Sequence, residues 1–208
     1  LENEEQAWRS YSISSNPNRT DCYEISVKSE KNGKGGSLAV HQQYQLGLIL
    51  HCKEPQNFFT LDSLDNNQHV VLIAGGIGIT PIKSMALALI KQKKQTFELH
   101  YAGRNIDDMA YTDRLTRQLG DKLHLYPSQA GIKLSIKKLL SEQKHDTKFY
   151  FCGPTSMLKE LKQYALELGI ESDNIHYEQF SVQPNEEAKA CQITLNKSNI
   201  KIDVASDQ

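Results

Sequence analysis

Gly75-Gly76-Ile77-Gly78-Ile79-Thr80-Pro81 follows the unbroken apolar run Val70 to Ala74 and precedes Ile82, Met85, Ala86, Leu89 and Ile90, which keep helical spacing. A continuous apolar run suits a strand covered on both faces, as in a parallel sheet. The glycines let the backbone turn tightly and approach a ligand closely. Thr80 is expected as the helix N-cap and Pro81 as its first residue, where a missing N–H costs nothing. Free amides and the helix macrodipole at such a turn favour an anion such as pyrophosphate. The stretch is neither a Walker A loop nor a full GxGxxG. An ordinary Gly-rich turn is the plain alternative, and the strand–turn–helix context argues against it.

The same alternation continues toward the C-terminus. Phe97, Leu99 and Tyr101 alternate, a charged helix follows over about 108–119, and Leu123-His124-Leu125 reads as a strand. A helix is expected near Ser135 to Glu142, a buried strand at Phe149 to Cys152, and an amphipathic helix through Met157, Leu158, Leu161, Ala165 and Leu168. Ile175 to Phe180 closes the series. Strands alternating with helices predict a parallel α/β domain over 65–182, with right-handed crossovers. Cys152-Gly153-Pro154 is a second strand-to-helix junction, at the sheet edge where ligands bind in such folds. A small buried cysteine is its plain alternative.

Residues 1–64 read differently. Tyr11 to Ser14, Tyr23 to Val27, Leu46 to Cys52 and Phe58 to Leu61 resemble short half-buried strands, with a turn at Asn16-Pro17-Asn18 and a Gly-rich loop from Lys31 to Ser37. That spacing predicts an antiparallel β-barrel. Within it, Arg9-Ser10-Tyr11-Ser12 offers a phosphate-binding guanidinium, an aromatic ring and a hydroxyl. Lys34-Gly35-Gly36-Ser37 adds a cation, two flexible amides and a second hydroxyl; taken alone, the first segment reads better as a strand with one exposed arginine, and the second equally as an ordinary polar loop. Residues 183–190 read as a linker. Cys191 to Leu195 and Ile200 to Val204 read as a β-hairpin, and a lone hairpin is barely stable in water. Residues 191–208 are therefore expected to begin a further domain. The fold class is thus α+β multidomain.

Composition narrows the function. The 208 residues carry 24 Lys+Arg against 25 Asp+Glu, a net charge of −1, which argues against nucleic-acid or membrane-surface binding. Apolar runs are too short to span a bilayer. The four cysteines form no CxxC pair and suit a reducing, cytoplasmic setting. The seven histidines show no metal-ligand spacing, so no metal site is expected. Because the chain opens on Leu1, its natural start is expected upstream.

Four segments in order, RSYS at 9–12, GGS at 35–37, GGIGITP at 75–81 and CGPTSML at 152–158, resemble the ferredoxin-reductase-type flavin oxidoreductases. Tyr177-Glu178-Gln179-Phe180 looks like that family too. The Gly-Gly-Ser loop, linker and trailing hairpin are similar to those of Rieske-type oxygenase reductases, such as phthalate dioxygenase reductase and vanillate demethylase reductase. The resemblance implies a flavin barrel, an NAD(P) domain and a plant-type [2Fe–2S] ferredoxin domain. The first barrel strands and the cysteine loop are then expected outside these residues.

By motif, the resemblance implies FMN, with FAD as the alternative, held by Arg9, Tyr11, Ser12, Ile13, Val27, Lys28, Lys34, Gly35, Gly36, Ser37, Thr80 and Phe180. It implies nicotinamide nucleotide on Gly76, Gly78, Ile79, Thr80, Pro81, Arg104, Cys152, Gly153 and Pro154, with Ser12 and Cys152 at the reacting rings. Asp107 and Asp108 beside Arg104 favour NADH over NADPH. The implied activity is electron transfer from NADH through flavin to [2Fe–2S] and a Rieske-type oxygenase partner. A stand-alone flavin or ferredoxin reductase and a non-catalytic flavin- or nucleotide-binding module are the alternatives.

Overall fold

A computed structural model describes residues 8–33, 35–61, 68–94, 96–180, 191–195 and 200–204. Residues Leu1–Glu178 form one compact unit and Gln179–Gln208 a second.

The first unit is built on a five-stranded parallel sheet. Its strands are β1 (Val70–Gly75), β2 (Phe97–Gly103), β3 (Leu123–Pro127), β4 (Lys148–Cys152) and β5 (Ile175–Glu178), in the order β3-β2-β1-β4-β5. Every residue of β1 is buried, as its unbroken apolar run requires. Successive side chains point to opposite faces. Val70, Leu72 and Ala74 pack with Ile82, Met85 and Leu89 of α2 (Ile79–Lys91) and with Leu115 of α3 (Thr112–Leu119). Val71 and Ile73 pack with Leu139 of α4 (Ile136–Ser141) and with Leu158 and Leu161 of α5 (Thr155–Glu167). Both faces of the sheet are therefore covered, and the expected α/β arrangement is present.

The start of α2 corrects one expectation. A single 3-10 turn over Gly76–Gly78 leads straight into the helix, so Gly78 is the N-cap and the helix begins at Ile79. Thr80 is not the cap. Its hydroxyl instead donates to the Ile77 carbonyl at 3.0 Å. Pro81 lies third rather than first, still within the turn whose N–H groups have no helical acceptor.

The N-terminal residues differ more from their pattern. Among the described residues before β1 there is one helix, α1 (Gly36–Gln43), and one isolated antiparallel bridge, Ile13 with Ile25. Among the described residues the four expected strands do not form as ladders and no antiparallel barrel is seen. Alternation marks residues with one face to bury, but a strand also needs a neighbour for its backbone groups. Leu46, Ile49 and Phe58 accordingly stay exposed. The turn does form, with the Arg19 N–H donating to the Asn16 carbonyl at 2.9 Å.

A polar cluster holds this segment against α2 and α3. Lys83 is only 1% exposed, and its ammonium donates to Glu24 at 2.7 Å and to the Ser14 carbonyl at 2.6 Å. Arg114 reaches the other Glu24 oxygen at 2.9 Å. The Tyr111 hydroxyl bonds Ser14 at 2.8 Å and also meets the Ser26 hydroxyl. Burial alone would raise the Glu24 carboxyl, but its bonds to Lys83 and Arg114 prevail and bring it down to about 2.

In the second unit, β6 (Cys191–Leu195) and β7 (Ile200–Val204) pair antiparallel, as the expected hairpin. The expected linker, 183–190, lies outside the described residues.

Candidate functional site

In the strand order, β1 pairs with β2 on one side and β4 on the other. The helix after β1 packs on one face and the helix after β4 on the other. This is a switch point, where a crevice opens at the carboxyl ends of the strands. The two glycine-bearing turns meet there. A Cβ on Gly78 would stand 2.1 Å from the Cys152 carbonyl oxygen, one on Gly75 2.5 Å from Pro154 Cδ, and one on Gly153 3.0 Å from Gly75 Cα. Glycine is required here because backbone touches backbone. Gly76 differs: it is exposed, has φ +54°, and a Cβ there would meet nothing within 4 Å.

Cys152 ends β4 in full burial. Burial, and secondarily the charge of Glu178, push its thiol well above the ordinary cysteine range. The thiol stays protonated and acts as an apolar wall of the crevice rather than as a nucleophile.

Ser12 reaches the same edge. Its hydroxyl stands beside the carboxyl of Glu178, the residue paired with Cys152 in the β4–β5 register. Burial raises the Glu178 carboxyl, with the Ser12 hydroxyl opposing it. Glu178 Oε2 is buried and has no hydrogen-bond partner among the described residues. Ser12, Cys152, Gly78, Gly153 and Pro154 thus converge as one site. Glu178 is the member that motif reading did not assign. Its place inside the expected strand Ile175 to Phe180, within the Tyr177-Glu178-Gln179-Phe180 segment, was the available signal.

A second group forms around α1. A Cβ on Gly36 would lie 3.1 Å from Arg9 Nε, so the guanidinium crosses directly over the first residue of the helix. Gly35 caps α1 at φ +82°, and the first turn holds no acidic residue. Ser37 Oγ accepts from the Glu30 N–H at 3.0 Å. A cation over an uncompensated helix N-terminus is suited to a phosphate.

The remaining expected residues are more scattered. Tyr11 and Ile13 are half-buried. The Val27 carbonyl accepts from the His41 ring at 2.7 Å, and Lys28 pairs with Glu30 at 3.2 Å. Arg104 is exposed just past β2, its carbonyl accepting from the Gln129 N–H at 2.9 Å. Ile79, Thr80 and Pro81 are buried in the first turn of α2. Phe180 is exposed and belongs to the second unit. Lys34 lies outside the described residues.

Sequence spacing also missed a cluster. Glu98, His100 and His124 bring ligand atoms within 4.8 Å of one another. His100 and His124 sit opposite each other across β2 and β3, a register that spacing does not reveal.

Comparison with known proteins agrees with this geometry. Residues 56–175 match the family described as dimethylamine monooxygenase subunit DmmA-like, N-terminal domain. The carnitine monooxygenase reductase subunit of Escherichia coli K12 is 36% identical over 174 residues, which are 83% of this chain and 53% of that protein. The heme-dependent oxidative N-demethylase beta subunit of Ectopseudomonas mendocina is 35% identical over 198 residues, 95% of this chain and 62% of that one. This chain therefore spans between about half and two thirds of the length of these relatives. The crystal structure of phthalate dioxygenase reductase, which moves electrons from pyridine nucleotides to [2Fe–2S], superposes with a TM-score of 0.75 at 25% identity, covering 96% of this chain and 63% of that one. With its parallel sheet, its touching glycine turns and these matches, the chain belongs to the DmmA-like family and has the fold of the ferredoxin-reductase-type flavin oxidoreductases.

Proposed function

We propose that this chain is the flavin- and nucleotide-binding part of a reductase that takes electrons from NADH through FMN to a plant-type [2Fe–2S] centre and on to a Rieske-type oxygenase. The observation that carries the reading is the convergence of Ser12 and Glu178 on the crevice where Gly78 touches Cys152. The setting is cytoplasmic; no helix of the described residues is long and apolar enough to cross a membrane.

The residues fit the groups they are assigned. Arg9, Gly35, Gly36 and Ser37 hold a terminal phosphate at the α1 N-terminus, which favours FMN over FAD. Tyr11 and Ser12 lead from there toward the crevice, with Ile13, Val27 and Lys28 beside them. The Gly76–Gly78 turn and the first turn of α2 receive the nucleotide, and Gly153 and Pro154 close the other lip. Arg104 stands near Asp107 and Asp108, which disfavour a 2′-phosphate and so favour NADH. The bound groups supply the hydride and one-electron chemistry. Cys152 excludes water from the reacting edge. Ser12 and Glu178 place a hydroxyl and a carboxyl at that edge.

The phosphate assignment has a direct test. Arg9→Ala is expected to raise the FMN dissociation constant by about 10–100-fold, the loss of a charge-assisted hydrogen bond. Fluorescence titration of the flavin-free full-length protein measures it, with circular dichroism unchanged. An unaltered constant would remove Arg9 from the phosphate site. A heme-dependent oxygenase partner is the second reading, favoured by the name of the Ectopseudomonas mendocina relative. Reduction of a Rieske-type protein, but not a heme oxygenase, by the NADH-charged reductase would decide for the first.

A further inference from the structure

The cluster at Glu98 lies away from the crevice. Phe97, Leu99 and Tyr101 of β2 face the core on the α2 side, so Glu98 and His100 point to the face that α4 and α5 cover. His124 and Tyr126 of β3 share that face through the β2–β3 register. Glu98 Oε2 lies 3.4 Å from His100 Nε2 and 3.4 Å from His124 Nε2. In a tetrahedral zinc site the metal–ligand bonds are about 2.0–2.2 Å, so neighbouring ligand atoms stand about 3.3–3.5 Å apart. The two carboxylate–imidazole spacings match that edge.

The surroundings are also those of a ligand set. His100 is 5% exposed, and its buried Nε2 has no hydrogen-bond partner among the described residues. Its other ring nitrogen is 2.8 Å from the Tyr126 hydroxyl, which fixes the ring and leaves Nε2 facing the cluster. Glu98 Oε1 is taken by Gln143 at 3.0 Å and faced by His69 at 3.4 Å, leaving Oε2 for the cluster. Such outer bonds orient first ligands in metal sites. The His100 and His124 rings are stacked with centroids 4.6 Å apart, and the more exposed His124 can tilt to aim its lone pair.

We propose that Glu98, His100 and His124 form a binding site for a divalent transition-metal ion of the zinc class, with water at the fourth position. The ion ties the edge strand β3 to β2. Imidazole and carboxylate donors suit zinc, and copper and nickel compete for the same set. It needs no cysteine and is separate from the crevice that receives the nucleotide.

The test uses zinc chloride alone on chelator-treated full-length protein. Calorimetry should show one tight equivalent that His124→Ala weakens at least 100-fold. His124 is 40% exposed, so its removal leaves the fold intact, with circular dichroism as the check. Tyr126→Phe should cost about 10–100-fold, as loss of an outer partner does. Crystals soaked in zinc should give an anomalous peak bounded by Glu98, His100 and His124. Absence of that peak, or a zinc affinity unchanged in both His124→Ala and Glu98→Gln, would overturn the site and leave a charge-paired histidine–carboxylate cluster.

Discussion

Gly78→Ala is expected to lower the melting temperature by about 6–12 °C and to abolish measurable nucleotide binding. The new Cβ would sit 2.1 Å from the Cys152 carbonyl oxygen and 2.9 Å from the Gly153 nitrogen, both backbone atoms of the neighbouring turn. Neither can swing aside, because β4 is paired on both sides within the sheet. The β1–α2 turn must therefore part from the β4–α5 turn, opening the crevice at its narrowest point. Overpacking a rigid interior costs about 1–3 kcal/mol, and the upper end applies where backbone meets backbone. For a chain of this size each kcal/mol moves the midpoint by about 2–4 °C. Gly76→Ala is the internal control. It has φ +54° but open space around it, so only the left-handed backbone cost of about 1–2 kcal/mol applies. Differential scanning calorimetry on both variants, with nucleotide titration, checks the contrast. Equal effects at the two positions would mean the close approach of the turns does not matter.

Glu24→Ala is expected to cost about 3 kcal/mol in urea unfolding. It strips the carboxylate from Lys83, whose side chain is 1% exposed, leaving the ammonium with the Ser14 carbonyl and the Tyr111 ring 4.3 Å away. Breaking a buried pair by removing one partner costs about 3–5 kcal/mol, and the partial exposure of Glu24 favours the lower end. Adding Lys83→Met removes the stranded charge, so the double variant should regain most of the loss. The same carboxylate makes a pH signature. Its folded value of about 2 lies below its ordinary 4.5, so its stabilisation is complete above pH 4.5 and disappears as the pH falls toward 2. That acid limb should flatten in Glu24→Ala. No rescue by Lys83→Met would show that Lys83 is not held by its charge partner.

The contrast between the two halves of the first unit shows what pattern can and cannot reveal. Val70 to Ala74 is apolar without interruption because both faces of β1 are covered, and that physical demand is written into every residue. The strand, its glycine turn and the helix after it were legible for this reason. Tyr11 to Ser14 and Leu46 to Cys52 carry the alternation of strands, yet among the described residues before β1 only Ile13 and Ile25 make a bridge. Alternation records which face to bury but not whether a partner strand lies alongside. Thr80 shows a finer limit. It is a good capping residue, but the 3-10 turn ahead of it moved the helix start to Ile79. Register was the least visible property. Glu178 joins the crevice only because it pairs with Cys152, and Glu98, His100 and His124 assemble only because β2 and β3 align. Gly78, Cys152 and Gly153, which meet in the structure, are legible as neighbours of two strand-to-helix junctions because the demands of such a junction are local.

The central claim is that one chain holds a flavin and a nicotinamide nucleotide against the same sheet edge. An anaerobic visible spectrum of the purified full-length protein, recorded before and after one equivalent of NADH, tests it most directly. The account predicts a bound-flavin spectrum that bleaches on addition of NADH. A protein that retains flavin but does not bleach with NADH would contradict it.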